Sequence, residues 1–315
     1  NFLWFYLFFD VITIRMNPVD ITKLVTMLRM KPMFSHEFTV ASMREAVDYA
    51  GNKVLALPGI TKQKINNESD LEIYEFSPNI LRHKSAILYL HGGGYCIGST
   101  SSHRPIIERL CAEFGGSVFS LDYRLAPEYR FPAPLIDATL AYQWLLSHGY
   151  SSIELAIVGD SAGGGLALST LINLREEGIP LPNCGVLISP WLDLSSSGDS
   201  IIKNERFDPI INRQTLDSFA NSYLNGALPT TQLASPLFAE LNDLPPLLLQ
   251  VGDREMLVDD SIRLKDKAAS YNTRVELKIW ERMIHVWHIF APILAEGQAG
   301  IVEISSFIKK NMKLE

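Results

Sequence analysis

The stretch "LAIVGDSAGGGLALSTLINL" (155–174) carries an apolar run into Gly-Asp-Ser-Ala-Gly and restarts at once as an apolar helix. Residues 159–163 fit G-x-S-x-G between a strand and a helix, the context in which a serine is presented on a sharp turn. The chemistry accounts for the glycines. A serine so presented holds a strained backbone, and side chains at the flanking positions would collide with it. The turn lifts the Ser161 hydroxyl above the sheet edge and aims the first helix amides, that of Ala162 included, at whatever the serine attacks. The blander reading is a tight strand-to-helix turn with an incidental serine; a strand before and a helix after favour the nucleophile. A dinucleotide loop does not fit, because "GGGLAL" lacks the last glycine of G-x-G-x-x-G and no Gly-Lys-Ser/Thr follows.

Outward from this turn, short apolar runs alternate with amphipathic helices. "SAILYL" (85–90), "SVFSLDY" (117–123), "LAIVGD" (155–160), "GVLISP" (185–190), "PPLLLQVGD" (245–253) and "VELKIWE" (275–281) read as strands, most with a helix between them. Continuous apolar strands separated by helices indicate an α/β fold with a mostly parallel central sheet covered on both faces. "LEIYEFSP" (71–78) alternates like a half-buried strand. The segment from Met16 to about Gly51 reads as helical, with Ile21, Leu24, Val25 and Leu28 on one face and Gly51 as a helix C-cap. Residues 195–244 break the rhythm. They hold no clear strand and one helical pattern, "NRQTLDSFANSYL", where a lid over a sheet edge would sit.

The composition limits the function classes. With 315 residues, 47% of them hydrophobic and 20% charged, the chain has the make-up of a globular protein with a large core. A net charge of −7 argues against nucleic acid, whose phosphates need a basic footprint. The three cysteines, Cys96, Cys111 and Cys184, form no disulfide framework, so a reducing, cytoplasmic setting is expected. No H-E-x-x-H and no cysteine pair is present, and neither a metal nor an organic cofactor is expected. The opening "NFLWFYLFFDVITIR" is too short an apolar run to span a bilayer. Residues 1–15 are read as an extension outside the fold, with a membrane-surface anchor as the lesser option.

Three further motifs lie at strand ends, where such sheets carry their functional loops. "YLHGGGYCIGS" (89–99) can aim backbone amides inward, as an oxyanion hole requires; Gly93, Gly94 and Ala162 are the candidate donors. His91 reads as a brace beneath that loop. "WERMIHVWHIF" (280–290) offers His285 on the loop past the last strand as the base, with His288 one turn later as a packed neighbour. The acid lies in "LLLQVGDREMLVDDS" (247–261). Asp259 and Asp260 suit the start of the next helix. Asp253 is closest to the strand and Glu255 two residues further out; spacing does not choose between them.

Taken together, "HGGGY", "LDYRLAPEYRFPAPLIDA", "GDSAGGGLA", "ISPWLDL", "LPPLLLQVGDREMLVDDS" and "HVWH" resemble the hormone-sensitive-lipase-like branch of the α/β-hydrolases, the bacterial carboxylesterases. The motifs run in order over about residues 70 to 290. The resemblance implies Ser161 as nucleophile, His285 as base, and Gly93, Gly94 and Ala162 as oxyanion donors. The acid departs from the usual Asp-Pro-Leu-x-Asp; a gap-free overlay from Pro245-Pro246 puts the family's aspartate on Glu255, with Asp253 as the alternative. The resemblance also implies a helical cap from residues 16–50 and an insertion at about 195–230, on a catalytic domain spanning 51–315. It makes Arg124 and Glu128 a structural ion pair and suggests a homodimer through the last strand and its helix.

The expected reaction is hydrolysis of short-chain acyl esters through an acyl-enzyme. An amidase or thioesterase would use the same machinery. A small-molecule binding protein on a disarmed hydrolase frame is the alternative of another class, and the retained serine, histidine and acids speak against it.

Overall fold

The runs read as strands do pair. The computed structural model describes residues 18–30, 39–67 and 70–314; the extension at 1–15 and parts of the 16–50 segment lie outside the described residues. The strands are β1 (Ile60–Ile65), β2 (Glu72–Pro78), β3 (Ala86–Leu90), β4 (Ser117–Asp122), β5 (Leu155–Asp160), β6 (Cys184–Ile188), β7 (Leu247–Gly252) and β8 (Val275–Trp280). They form one sheet in the order β1-β2-β4-β3-β5-β6-β7-β8. The pairs from β4 through β8 are parallel, while β1–β2 and β2–β4 are antiparallel.

Helices cover both faces, and the side chains of β3 divide between them, as a pleat requires. Ala86, Leu88 and Leu90 join the core under α4 (Ala133–Ser147), α5 (Ala162–Glu176) and α8 (Val258–Ala269). Ile87 and Tyr89 face the other core, built by α3 (Thr100–Phe114) and α9 (Ala295–Met312). Burial on both sides explains why the central strands are apolar at successive positions rather than at alternate ones.

The two segments that broke the strand–helix rhythm lie over the carboxyl edge of this sheet. The first supplies α1 (Ile21–Met30) and α2 (Val40–Lys53); the second supplies α6 (Ser200–Lys203) and α7 (Arg213–Leu224). Ile21, Leu24 and Leu28 of α1 pack with Met283, Ile284 and Trp287 around His285.

The structure adds one strand and corrects two sequence expectations. β1 was not anticipated: "ITKQKI" is largely exposed and polar, and only its pairing with β2 makes it a strand. Gly51 does not cap its helix, since α2 continues to Lys53; a Cβ there would lie 2.1 Å from the Ser101 carbonyl oxygen, so Gly51 lets α2 and α3 cross. Arg124 and Glu128 do not pair with each other. Arg124 binds Asp137 at 2.7 Å, and Glu128 binds Arg44 of α2 at 2.7 Å. Their four-residue spacing supports an ion pair only on a helix, and residues 124–128 form no helix.

Candidate active site

Ser161 sits between β5 and α5 with φ 53° and ψ −122°, a region that side-chain-bearing residues rarely adopt. Three bonds hold it there. Its amide donates to the Ile188 carbonyl at 2.8 Å, and its own carbonyl accepts from Trp191 at 2.9 Å and Gly165 at 3.1 Å. The flanking glycines are forced by approach. A Cβ on Gly159 would fall 2.1 Å from the Gly163 carbonyl oxygen, and one on Gly163 would fall 2.1 Å from that of Leu90.

His285 follows β8 on the loop beyond it, and its Nε2 lies 2.9 Å from the Ser161 Oγ. Its Nδ1 lies 3.0 Å from Glu255 Oε2. Glu255 is fully buried, and its Oε1 accepts from the Ser189 hydroxyl at 2.7 Å and the Gly252 amide at 2.6 Å. With Oε1 held on one side, Oε2 is left for the imidazole. Asp253 is turned away: its Oδ1 accepts from the Arg282 amide at 2.6 Å and approaches Arg254 at the surface. Of the two acids that spacing left open, the structure brings Glu255 to His285.

Burial alone would push His285 toward the neutral form, but the hydrogen bond and charge of Glu255, with the nearby charges of Asp208 and Asp160, outweigh it and raise its proton affinity above that of free imidazole. Burial likewise raises Glu255, and the donors from His285 and Gly252 offset part of that rise. A neutral imidazole with Nδ1–H donated to Glu255 presents a bare Nε2 to the serine hydroxyl. That arrangement can take a proton from Oγ and keep the resulting charge beside a carboxylate.

The glycine loop borders the same cleft. Gly93 and Gly94 line it with Ser161 and His285, and the amides of those two glycines make no hydrogen bond among the described residues. Ala162 opens α5, where the first-turn amides have no partner within the helix. His91 is a brace, as expected. It stacks on Tyr123 at 4.3 Å, its Nδ1 donates to the Gly92 carbonyl at 2.7 Å, and burial lowers it to about 4, so it stays neutral. His288 is buried in a short turn with Nε2 2.7 Å from Gln250 Oε1, away from the serine. Asp259 and Asp260 open α8.

Sequence reasoning missed a second buried pair in the same cleft. His103 Nε2 lies 3.2 Å from Asp160 Oδ2, while Asp160 Oδ1 accepts from Tyr89 at 2.7 Å and from the Gly92 amide at 3.0 Å. Burial opposes both charges, yet the partners prevail: His103 is raised and Asp160 lowered. It also missed Ser189, whose hydroxyl accepts from the Val286 amide at 3.1 Å while donating to Glu255. The available signal was its place at the end of β6, on the same sheet edge as the other motifs.

The cleft has an empty volume of about 1300 Å³, its mouth included, and is walled mainly by apolar side chains. Val47 and Ala50 come from α2, Leu216 and Phe219 from α7, and Ile289 and Phe290 from the segment after His285. Among the described residues, no helix is long and apolar enough to cross a membrane.

Residues 87–289 match the model of a family described by its alpha/beta hydrolase fold. An acetyl-hydrolase of Streptomyces hygroscopicus is 42% identical over 223 residues, 71% of this chain and 75% of that protein. Crystals of EstE5 soaked with p-nitrophenyl butyrate gave a structure that superposes with a TM-score of 0.89 at 38% identity, covering 93% of this chain and 98% of that one. An esterase from the bacterial hormone-sensitive lipase family superposes equally well, with a TM-score of 0.89 at 39% identity and the same coverage. With its sheet, its turn at Ser161 and these likenesses, the chain belongs to the α/β-hydrolase family, in the hormone-sensitive-lipase-like branch of esterases.

Proposed function

We propose that this esterase cleaves short-chain acyl esters with Ser161 as nucleophile, His285 as general base and acid, and Glu255 as the orienting carboxylate. The observation that carries the reading is the unbroken series Ser161 Oγ, His285 Nε2, His285 Nδ1, Glu255 Oε2, with contacts of 2.9 and 3.0 Å. His285 accepts the Oγ proton as Oγ attacks the ester carbonyl carbon, and the carbonyl electron pair moves onto oxygen. The Gly93, Gly94 and Ala162 amides receive that oxyanion; losing one such donor costs about 3–4 kcal/mol of barrier. The tetrahedral species collapses, the bond to the alcohol oxygen breaks, and His285 returns the proton to the leaving alcohol. Water, deprotonated by His285, then attacks the acyl-enzyme, and the acid leaves as Ser161 regains its proton.

Helices α1 and α2 with the 195–230 insertion serve as the cap in this reading: α2 and the insertion give the cleft Val47, Ala50, Ile210, Ile211, Leu216 and Phe219, and α1 packs on Met283, Ile284 and Trp287. A mainly apolar wall suits acyl and alkyl groups rather than ionic substrates. Short acyl groups are favoured by the likeness to EstE5, whose crystals were soaked with a butyrate ester.

The test is a p-nitrophenyl ester series from acetate to laurate on the native enzyme and Ser161→Ala. The expected result is a kcat/KM maximum at or below hexanoate and turnover abolished by the substitution. Activity that climbs beyond decanoate would overturn the substrate class, and a fully active Ser161→Ala would overturn the mechanism.

A further inference from the structure

The loop that carries Glu255 lies beyond the last residue of β7, where no strand ladder holds its backbone. The amides of its first three residues turn away from the insertion. Asp253 N–H donates to the Trp280 carbonyl at 3.1 Å, Arg254 N–H to that of Met283 at 3.2 Å, and Glu255 N–H to that of Gly252 at 3.3 Å. Its carbonyls turn the other way and meet side chains of the insertion.

Three residues of that insertion, spaced four apart, make the contacts. The Ser200 hydroxyl donates to the Met256 carbonyl at 2.6 Å and accepts from the Asp259 amide at 3.2 Å. Asn204 Nδ2 donates to two carbonyls, that of Asp253 at 3.1 Å and that of Glu255 at 2.8 Å. Asp208 Oδ2 accepts from the Met256 amide at 3.1 Å, while its Oδ1 accepts from Ile210 at 3.0 Å and Ile211 at 3.3 Å. Ile210 and Ile211 line the substrate cleft. Ser200 and Asp208 are buried, and the turn from 204 to 208 is closed by the Asn204 carbonyl, which accepts from Phe207 at 2.7 Å and Asp208 at 3.0 Å.

We propose that Ser200, Asn204 and Asp208 are positioning residues that clamp the 253–256 backbone and thereby aim Glu255 at His285. The roof of the cleft and the acid of the relay are then one mechanical unit. The proposal rests on Glu255 being that acid. A glutamate needs such support more than an aspartate would, because its extra methylene adds a torsion between backbone and carboxylate. A fixed Oε1 directs Oε2 only while the Glu255 Cα stays in place, and a misplacement of about 1 Å can cost roughly 100-fold in rate.

The test is a double-mutant cycle on the full chain, with p-nitrophenyl butyrate as the probe. The four proteins are native, Asn204→Ala, Glu255→Gln and the double variant, and kcat, KM and melting temperature are read for each. Asn204→Ala is expected to lower kcat about 10- to 100-fold with KM within about threefold. In the Glu255→Gln background it is expected to cost less than about twofold, because the group it positions has already lost its function. Asn204→Asp keeps the size but not the donor, and is expected to be no better than alanine. Ser200→Ala carries the same cycle with a smaller change should Asn204→Ala fail to fold. Equal fold losses in both backgrounds would overturn the clamp and leave a general structural role. Native-like turnover by Asn204→Asp would overturn it as well. A Glu255→Gln enzyme that keeps native activity would refute the assignment of the acid itself, and the clamp with it.

Discussion

Two buried histidine–carboxylate pairs share one cleft, and only one of them reaches the serine. His285 and Glu255 meet at 3.0 Å, and the free edge of the imidazole faces Ser161 Oγ at 2.9 Å. His103 and Asp160 meet at 3.2 Å one residue before the same serine, but their remaining valences are spent on structure: Asp160 takes Tyr89 and the Gly92 amide, and His103 Nδ1 lies 2.9 Å from Ser102 Oγ. The chemistry of the two pairs is nearly the same. What separates them is attachment: one imidazole keeps a ring nitrogen directed at the Ser161 hydroxyl, and the other is used up on both sides. The second pair ties the glycine loop to the turn of Ser161. A Cβ on Gly92 would fall 2.3 Å from Asp160 Oδ2, so the loop needs a glycine there to come close enough.

The sharpest way to break this comparison is to remove each histidine in turn. His285→Ala is expected to lower kcat per folded molecule about 10⁵- to 10⁶-fold, since it removes the base of the relay, and to cost stability as well, since it strips the partner from buried Glu255. His103→Ala is expected to share the stability cost without the loss of turnover. Stripping one partner from a buried ion pair costs about 3–5 kcal/mol of stability, and turnover per folded molecule should fall far less than in His285→Ala. Chemical denaturation beside active-site titration measures both quantities. Loss of activity in His103→Ala equal to that in His285→Ala, with stability intact, would put the second pair into the chemistry.

The pH profile sharpens the comparison with a smaller effect. Its net environment holds the proton of His285 more firmly than free imidazole does, so the base is neutral only above a value higher than the usual 6.5. As pH falls through that value His285 is protonated and cannot accept the Ser161 proton, so kcat/KM is expected to fall on the acid side, with its midpoint above 6.5. Glu255→Gln removes the charge that favours the imidazolium and should move this limb to lower pH. The same limb in Asp160→Asn, whose charge ranks behind those of Glu255 and Asp208 among the influences on His285, is expected to move less. A flat profile from pH 5 to 8 in the native enzyme would contradict the role of His285.

The strands and the serine turn were legible because local pattern decides them. Apolar runs buried on both faces leave a continuous signature, and glycines that avoid collisions with Leu90 and Gly163 must stand beside Ser161 in the sequence. What was not legible depends on residues brought together from far apart in the chain. Arg44 reaches Glu128 across 84 residues, and Asn204 reaches the acid loop across 51, so neither spacing carries a periodic signal. β1 was hidden for another reason: an exposed edge strand pairs through its backbone and needs no apolar pattern. The choice between Asp253 and Glu255 falls between these cases. They lie one and three residues past β7, and only the direction of the turn, with Asp253 toward Arg282 and Glu255 into the core, separates them.

That choice is also the most direct test of the account. The measurement is p-nitrophenyl butyrate turnover by Glu255→Gln beside Asp253→Asn, with folding checked by circular dichroism and Ser161→Ala as the floor. The account predicts a kcat loss of about 10³- to 10⁴-fold in Glu255→Gln and a change within about threefold in the half-buried Asp253→Asn. The reverse pattern, an active Glu255→Gln with an inactive Asp253→Asn, would contradict the series from Ser161 through His285 to Glu255.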